Sequence, residues 1–118
     1  MLWPTGQISK NGYGPLSELL HSAAAGARAA SSGTKIVIHV ANGWNKAATT
    51  SFFSNVLNFQ GKLTKSDFDV IGLSLYPFYN SAATLSNLKS TMNALTSAYS
   101  GKVCLFQYVF FLYVCDVD

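Results

Sequence analysis

The chain has 118 residues, of which 49% are hydrophobic and 14% aromatic but only 11% charged. This is the composition of a chain that buries a core, which excludes intrinsic disorder, and its length suits one ordinary domain or part of a larger one. The formal charge of +3 comes from basic residues scattered along the chain without a stripe, so nucleic acid is not an expected partner.

Carboxylates are scarce. Glu18, Asp67, Asp69, Asp116 and Asp118 are all there are, which leaves little for any mechanism that needs a carboxylate pair. Cys104 and Cys115 have no Cys or His at a metal-ligand spacing around them, so no metal and no cofactor is expected. The first residues lack a basic region followed by an apolar stretch, and the chain as written shows no secretory signal.

After a Gly-rich loop from Gly6 to Gly14, Pro15 suits the first turn of a helix. Leu16, Leu19, Leu20, Ala23, Ala24 and Ala27 follow at helical spacing, and Ser31, Ser32 and Gly33 end the run. Residues 35–40 are a β-branched run apolar on both faces, as in a buried parallel strand, and Asn42-Gly43 breaks it. A second helix is predicted from Ala47 to Asn58, with Phe52, Phe53, Val56 and Leu57 on one side and Thr49, Thr50, Ser54 and Asn55 on the other. Residues 68–76 read as a second buried strand, closed by Pro77. A third helix starts near Thr84 with Leu85, Leu88, Met92, Leu95 and Tyr99 on its stripe, Gly101 ends it, and a third apolar run starts at Lys102.

The runs begin at Lys35, Phe68 and Lys102, steps of 33 and 34 residues with one amphipathic helix in each. Strands joined by single crossover helices are parallel neighbours, and eight such units approach the roughly 250 residues of a (β/α)8 barrel. A doubly wound open sheet shares the alternation. No strand here runs into a Gly-rich phosphate loop, however, so the expected fold is α/β, a partial (β/α)8 barrel of roughly three βα units.

In a parallel barrel the working residues stand at the C-terminal ends of the strands. Polar and aromatic residues gather there: His39, Asn42 and Trp44 after one strand, Tyr76, Phe78 and Tyr79 after the next, and Trp3 at the opening of the chain. Aromatic faces beside amide and imidazole groups suit a sugar ring, which stacks its C–H face and hydrogen-bonds through its hydroxyls. Each has a plainer reading. His39 and His21 can be structural histidines, Trp3 and Trp44 can cap a core, the Tyr-Pro-Phe-Tyr run can be packing at a chain reversal, and Glu18 can be a solvated surface acid.

At these positions the chain resembles a known family. Leu2-Trp3-Pro4-Thr5-Gly6, Ile38-His39-Val40-Ala41-Asn42-Gly43-Trp44, Ser66-Asp67-Phe68-Asp69 and Ser74-Leu75-Tyr76-Pro77-Phe78-Tyr79 are similar to the endo-β-1,4-galactanases of glycoside hydrolase family 53. The segments at Leu20 to Gly26 and Ser81 to Lys89 look like the fungal branch, and the likeness covers about residues 1–103. The resemblance implies a secreted, monomeric retaining hydrolase that cuts internal β-1,4-galactosidic bonds of arabinogalactan and pectic galactan, acting at no membrane. In such enzymes two glutamates about 5 Å apart act as acid/base and nucleophile.

By the same resemblance, Trp3, His39, Asn42, Trp44, Tyr76 and Tyr79 line the galactan cleft, with Tyr76 nearest the nucleophile. Ala41 stands where many relatives have Asp and carries no role. The family's acid/base Glu lies in a Gly-Asn-Glu motif upstream of the Leu-Trp-Pro segment, and its nucleophile falls near Gln107 or Tyr108, so no catalytic residue is assigned. From Val103 on the sequence leaves the family pattern, which divides the chain into a barrel part, 1–102, and a hydrophobic tail, 103–118. The codons of Val103-Cys104 can hold the bases that open a fungal intron, so the tail is read as intron-derived. It is too short for a membrane span, which needs about 20 apolar residues, and reads as a buried or aggregation-prone strand. The expectation is therefore a galactanase segment without turnover of its own and of poor solubility. The other reading is a non-catalytic carbohydrate-binding or regulatory fragment, and a third is a small independent α/β domain.

Overall fold

The computed structural model describes residues 12–60, 62–108 and 111–115, those from 103 on as backbone. In chain order they form α1 (Gly14–Ala30), β1 (Val37–Val40), α2 (Lys46–Val56), β2 (Val70–Leu75), α3 (Leu85–Ala98), β3 (Val103–Tyr108) and β4 (Phe111–Cys115). Short 3-10 turns at Lys65–Asp67 and Pro77–Tyr79 flank β2.

Local chemistry sets these limits. Pro15 lies in the first turn of α1, where its missing N–H costs nothing. Asn45 caps α2 by accepting from the Ala48 N–H at 3.1 Å, and Thr84 caps α3 by accepting from the Asn87 N–H at 3.2 Å. Gly101, at φ +80°, turns the chain out of α3 into β3, a conformation that a side chain would strain.

The sheet order is β1-β2-β3-β4. Val37 pairs with Val70 and Val70 with Val103, both in parallel ladders, so the repeat of the sequence becomes the lateral repeat of the sheet. Ile38, Ile71, Leu73 and Leu75 are buried with Leu16 of α1, Phe53 and Val56 of α2, and Leu88 and Leu95 of α3 in one core. Successive side chains alternate between faces, so Val37, His39, Gly72 and Ser74 lie on the opposite face. Sequential strand order with the helices on one side is the arrangement of a barrel wall, and a doubly wound sheet would carry helices on both sides. The fold is α/β, a partial (β/α)8 barrel, as the cadence predicts.

The structure corrects several details. β1 is not buried on both faces: Val37 is 42% exposed and His39 is exposed, because β1 is a rim of the sheet among the described residues. Thr49, expected on the polar side of α2, is buried, since it stands one turn before Phe53 and two before Val56. Leu85 is 67% exposed and Thr91 is buried in its place on the α3 stripe, its hydroxyl donating to the Asn87 carbonyl at 3.1 Å. Leu19 and Ala23 are exposed while Ser17 is buried, its Oγ accepting from the Leu63 N–H. A small polar side chain that satisfies itself on nearby backbone fits a packed helix face as well as an apolar one does. The tail gives two strands rather than one: β3 joins β2 in parallel, and β4 returns antiparallel along β3.

The two acids before β2 brace the N-terminal ends of the strands. Asp69 accepts from the Ile36 N–H at 2.9 Å and from Arg28 Nη2 at 3.1 Å, tying α1 to the start of β1. The Ile36 N–H is the main reason its carboxyl is held below the ordinary range; partial burial opposes this, and the charges of Arg28 and Lys35 add to it. Asp67 accepts from the Thr64 N–H and hydroxyl and lies 3.0 Å from His21 Nδ1. Burial pushes the Asp67 carboxyl up, but His21 and Thr64 together outweigh it and leave it lowered. His21 is thus a structural histidine.

Candidate functional site at the strand ends

The turn after β1 rests directly on β2. Asn42 takes φ +57°, a left-handed conformation that Asn tolerates better than most residues, and the next N–H, that of Gly43, donates to the Ser74 carbonyl at 2.8 Å. A Cβ on Gly43 would fall 2.7 Å from Leu73 Cβ, so only glycine lets the loop come this close. The Asn45 N–H closes the turn on the Asn42 carbonyl, also at 2.8 Å, and starts α2. Asn42 is thereby held exposed at the end of β1, with Trp44 half-buried and packed against the core.

His39 projects from the helix-free face, and its Nε2 lies 2.7 Å from Ser74 Oγ on β2. Beyond β2, Pro77 opens a 3-10 turn that carries the chain away from the sheet. Tyr76 is half-buried, and its ring meets that of Tyr79 edge to face with centroids 6.0 Å apart. Phe78 and Tyr79 are 79% and 85% exposed, the most exposed of the large apolar side chains among the described residues. A groove of about 530 Å³ runs beside β1 between α1 and α2 and reaches His39 and Asn42; Leu20, Val37 and Phe52 are among its walls. A neighbouring strand would cover this side in a closed barrel.

Of the residues expected at the site, His39, Asn42 and Trp44 gather at the end of β1, and Tyr76 and Tyr79 at the end of β2. Trp3 lies outside the described residues. Ser74 and Gly72 were not foreseen, although a serine and a glycine interrupting an apolar strand on one face are the signal that could have found them. Among the described residues no carboxylate stands at these strand ends. Asp67 and Asp69 are engaged at the opposite end of the sheet, and Glu18 is exposed on α1, 3.4 Å from Lys62 Nζ. Gln107 and Tyr108, where the nucleophile was expected, pair in register with Ser74 and Leu75.

The comparisons bear on the family and the fold. The family model for glycosyl hydrolase family 53 matches residues 1–116. A probable arabinogalactan endo-beta-1,4-galactanase A of Neosartorya fischeri is 46% identical over 105 residues, which is 87% of this chain and 29% of that protein. The arabinogalactan endo-beta-1,4-galactanase of Thermothelomyces thermophilus is 41% identical over 107 residues, 89% of this chain and 31% of the relative. A solved structure of fungal beta-1,4-galactanases superposes with a TM-score of 0.76 at 42% identity, covering 88% of this chain and 31% of that one. The chain thus spans a little under a third of the relatives it matches, and over that span it belongs to glycosyl hydrolase family 53.

Proposed function

We propose that this chain is a segment of an arabinogalactan endo-β-1,4-galactanase, and that the ends of β1 and β2 form part of its galactan cleft. The observation that carries this is the exposed Tyr79 ring braced on Tyr76, on the same strand ends as His39 and Asn42. Phe78 and Tyr79 offer faces for the C–H side of a galactose ring, while Asn42 and His39 supply hydrogen bonds to its hydroxyls. Trp44 extends the aromatic lining, and Trp3, outside the described residues, is assigned to it on the family resemblance alone. In the complete barrel this cleft serves hydrolysis of internal β-1,4-galactosidic bonds with retention, and Tyr76 hydrogen-bonds the nucleophile. The complete enzyme works outside the cell, on pectic galactan, as a monomer.

The 118 residues alone turn over no galactan, because a retaining mechanism needs two carboxylates and the described ones are Asp67 and Asp69, committed to the far end of the sheet, and Glu18, exposed on α1 beside Lys62. Residues 1–102 form the barrel part and 103–118 a tail of different pattern. β3 still keeps the parallel ladder and the family match runs to residue 116, so the support for a tail is β4, which turns back antiparallel where a barrel places a helix and another parallel strand. The tail's origin in a retained intron is tested by sequencing the spliced message across Val103-Cys104; a spliced message that still encodes it defeats that origin.

A second reading, a carbohydrate-binding fragment without catalysis, is favoured by the same exposed aromatics. Reducing-end release from galactan and a binding titration on the purified chain separate the two. Release above blank refutes the absence of turnover, saturable binding without release supports the binding fragment, and neither binding nor release removes the cleft from this segment.

A further inference from the structure

His39 lies over bare main chain. Gly72 is its register partner on β2, and a Cβ there would stand 2.9 Å from both Cγ and Nδ1 of the imidazole, closer than such contacts occur. The ring keeps its place only because position 72 has no side chain. Two residues further along the same face, Ser74 Oγ meets Nε2 at 2.7 Å. The ring is therefore fixed twice, by an open floor beneath it and by a hydrogen bond at its far nitrogen.

The direction of that hydrogen bond follows from the hydroxyl. Ser74 is buried, and among the described residues its Oγ has no hydrogen-bond partner other than His39. If Nε2–H were the donor, the hydroxyl proton would be buried without an acceptor among the described side chains, the arrangement that folded proteins avoid. With Ser74 donating, both groups are satisfied and the imidazole proton resides on Nδ1.

We infer that Gly72 and Ser74 are positioning residues that hold His39 as the Nδ1–H tautomer, so that this N–H is the donor offered to an oxygen of a bound sugar. The choice of a sugar rests on the proposed function; the tautomer does not.

The test reads the imidazole nitrogens of His39 by ¹⁵N NMR on the labelled chain at about pH 8, above the ordinary histidine range. His21→Gln identifies which signals belong to His39. The expected signature is a pyrrole-type Nδ1 and a pyridine-type Nε2. Ser74→Ala shifts the balance toward protonated Nε2, Ser74→Thr restores the original signature, and Gly72→Ala moves the ring and changes both signals. A pyrrole-type Nε2 in the unaltered chain, or identical signals in Ser74→Ala, overturns the assignment, and the first of these needs no variant to fold. A titration with a β-1,4-linked galacto-oligosaccharide then tests the ligand. Ser74→Ala weakens binding roughly three- to tenfold, the worth of one well-placed hydrogen bond, and Ser74→Thr recovers it. If the unaltered chain binds no oligosaccharide, the sugar is overturned while the nitrogen signals still decide the tautomer.

Discussion

Replacing Gly43 by alanine isolates the contact that seats the site loop on the sheet. The added methyl would overlap Leu73 Cβ at 2.7 Å and press on the Ser74 carbonyl at 3.2 Å and Leu88 Cδ1 at 3.3 Å. Two of the three neighbours, a Cβ and a strand carbonyl, cannot swing aside, so the loop must lift. Lifting breaks the Gly43 N–H bond to Ser74 and loosens the turn that starts α2. Overpacking costs about 1–3 kcal/mol and the lost hydrogen bond about 1 kcal/mol, giving about 2–4 kcal/mol in all. That is a large share of a stability of roughly 5–15 kcal/mol. Gly26→Ala is the control: on α1, with nothing within 4 Å of the added methyl, it gains about 0.5–1 kcal/mol from helix propensity alone. Urea unfolding followed by circular dichroism measures both. A Gly43→Ala midpoint at or above that of the unaltered chain, or a Gly26→Ala loss of equal size, refutes the reasoning.

Phe53, fully buried among Phe52, Phe68 and Tyr99, is the aromatic centre of the core, and Phe53→Ala costs about 3–5 kcal/mol in the same assay. Tyr79→Ala leaves the midpoint within about 0.5 kcal/mol, since the ring is largely in solvent, yet abolishes binding in a galacto-oligosaccharide titration; retained binding removes Tyr79 from the cleft. Asp69 has a carboxyl pKa lowered on folding, so its contribution is complete above the ordinary value near about pH 4 and is lost as pH falls through the lower folded value. Asp69→Asn is therefore less stable at about pH 7 and has a flatter decline below about pH 4; unfolding midpoints across that range show a parallel decline if Asp69 contributes nothing.

The alternation of strand and helix was legible because each half of the unit leaves its own local mark. Pro15, Asn45, Thr84 and Gly101 end or start elements through their own backbone chemistry, which needs no knowledge of the rest of the molecule. The placing of His39, Asn42, Tyr76 and Tyr79 at the strand ends was legible too, since each stands at the close of a β-branched or apolar run or just beyond it. The facing of individual side chains was not. Thr49 and Thr91 lie inward because neighbouring helices close over them, and Val37 lies outward because β1 has no strand on its far side among the described residues. The bond between His39 and Ser74 depends on the register of β1 against β2, a long-range quantity that neither segment carries alone.

Among the described residues the sheet ends on two unlike rims, β1 on one flank and β4, running the opposite way to β3, on the other. Should one molecule's β1 rim meet the next molecule's β4 rim, the junction joins two different surfaces and leaves the same two surfaces free at the far ends. Growth of that kind has no built-in stopping point, so a β1-to-β4 junction would build open chains of molecules, whereas β1 on β1 would close a pair.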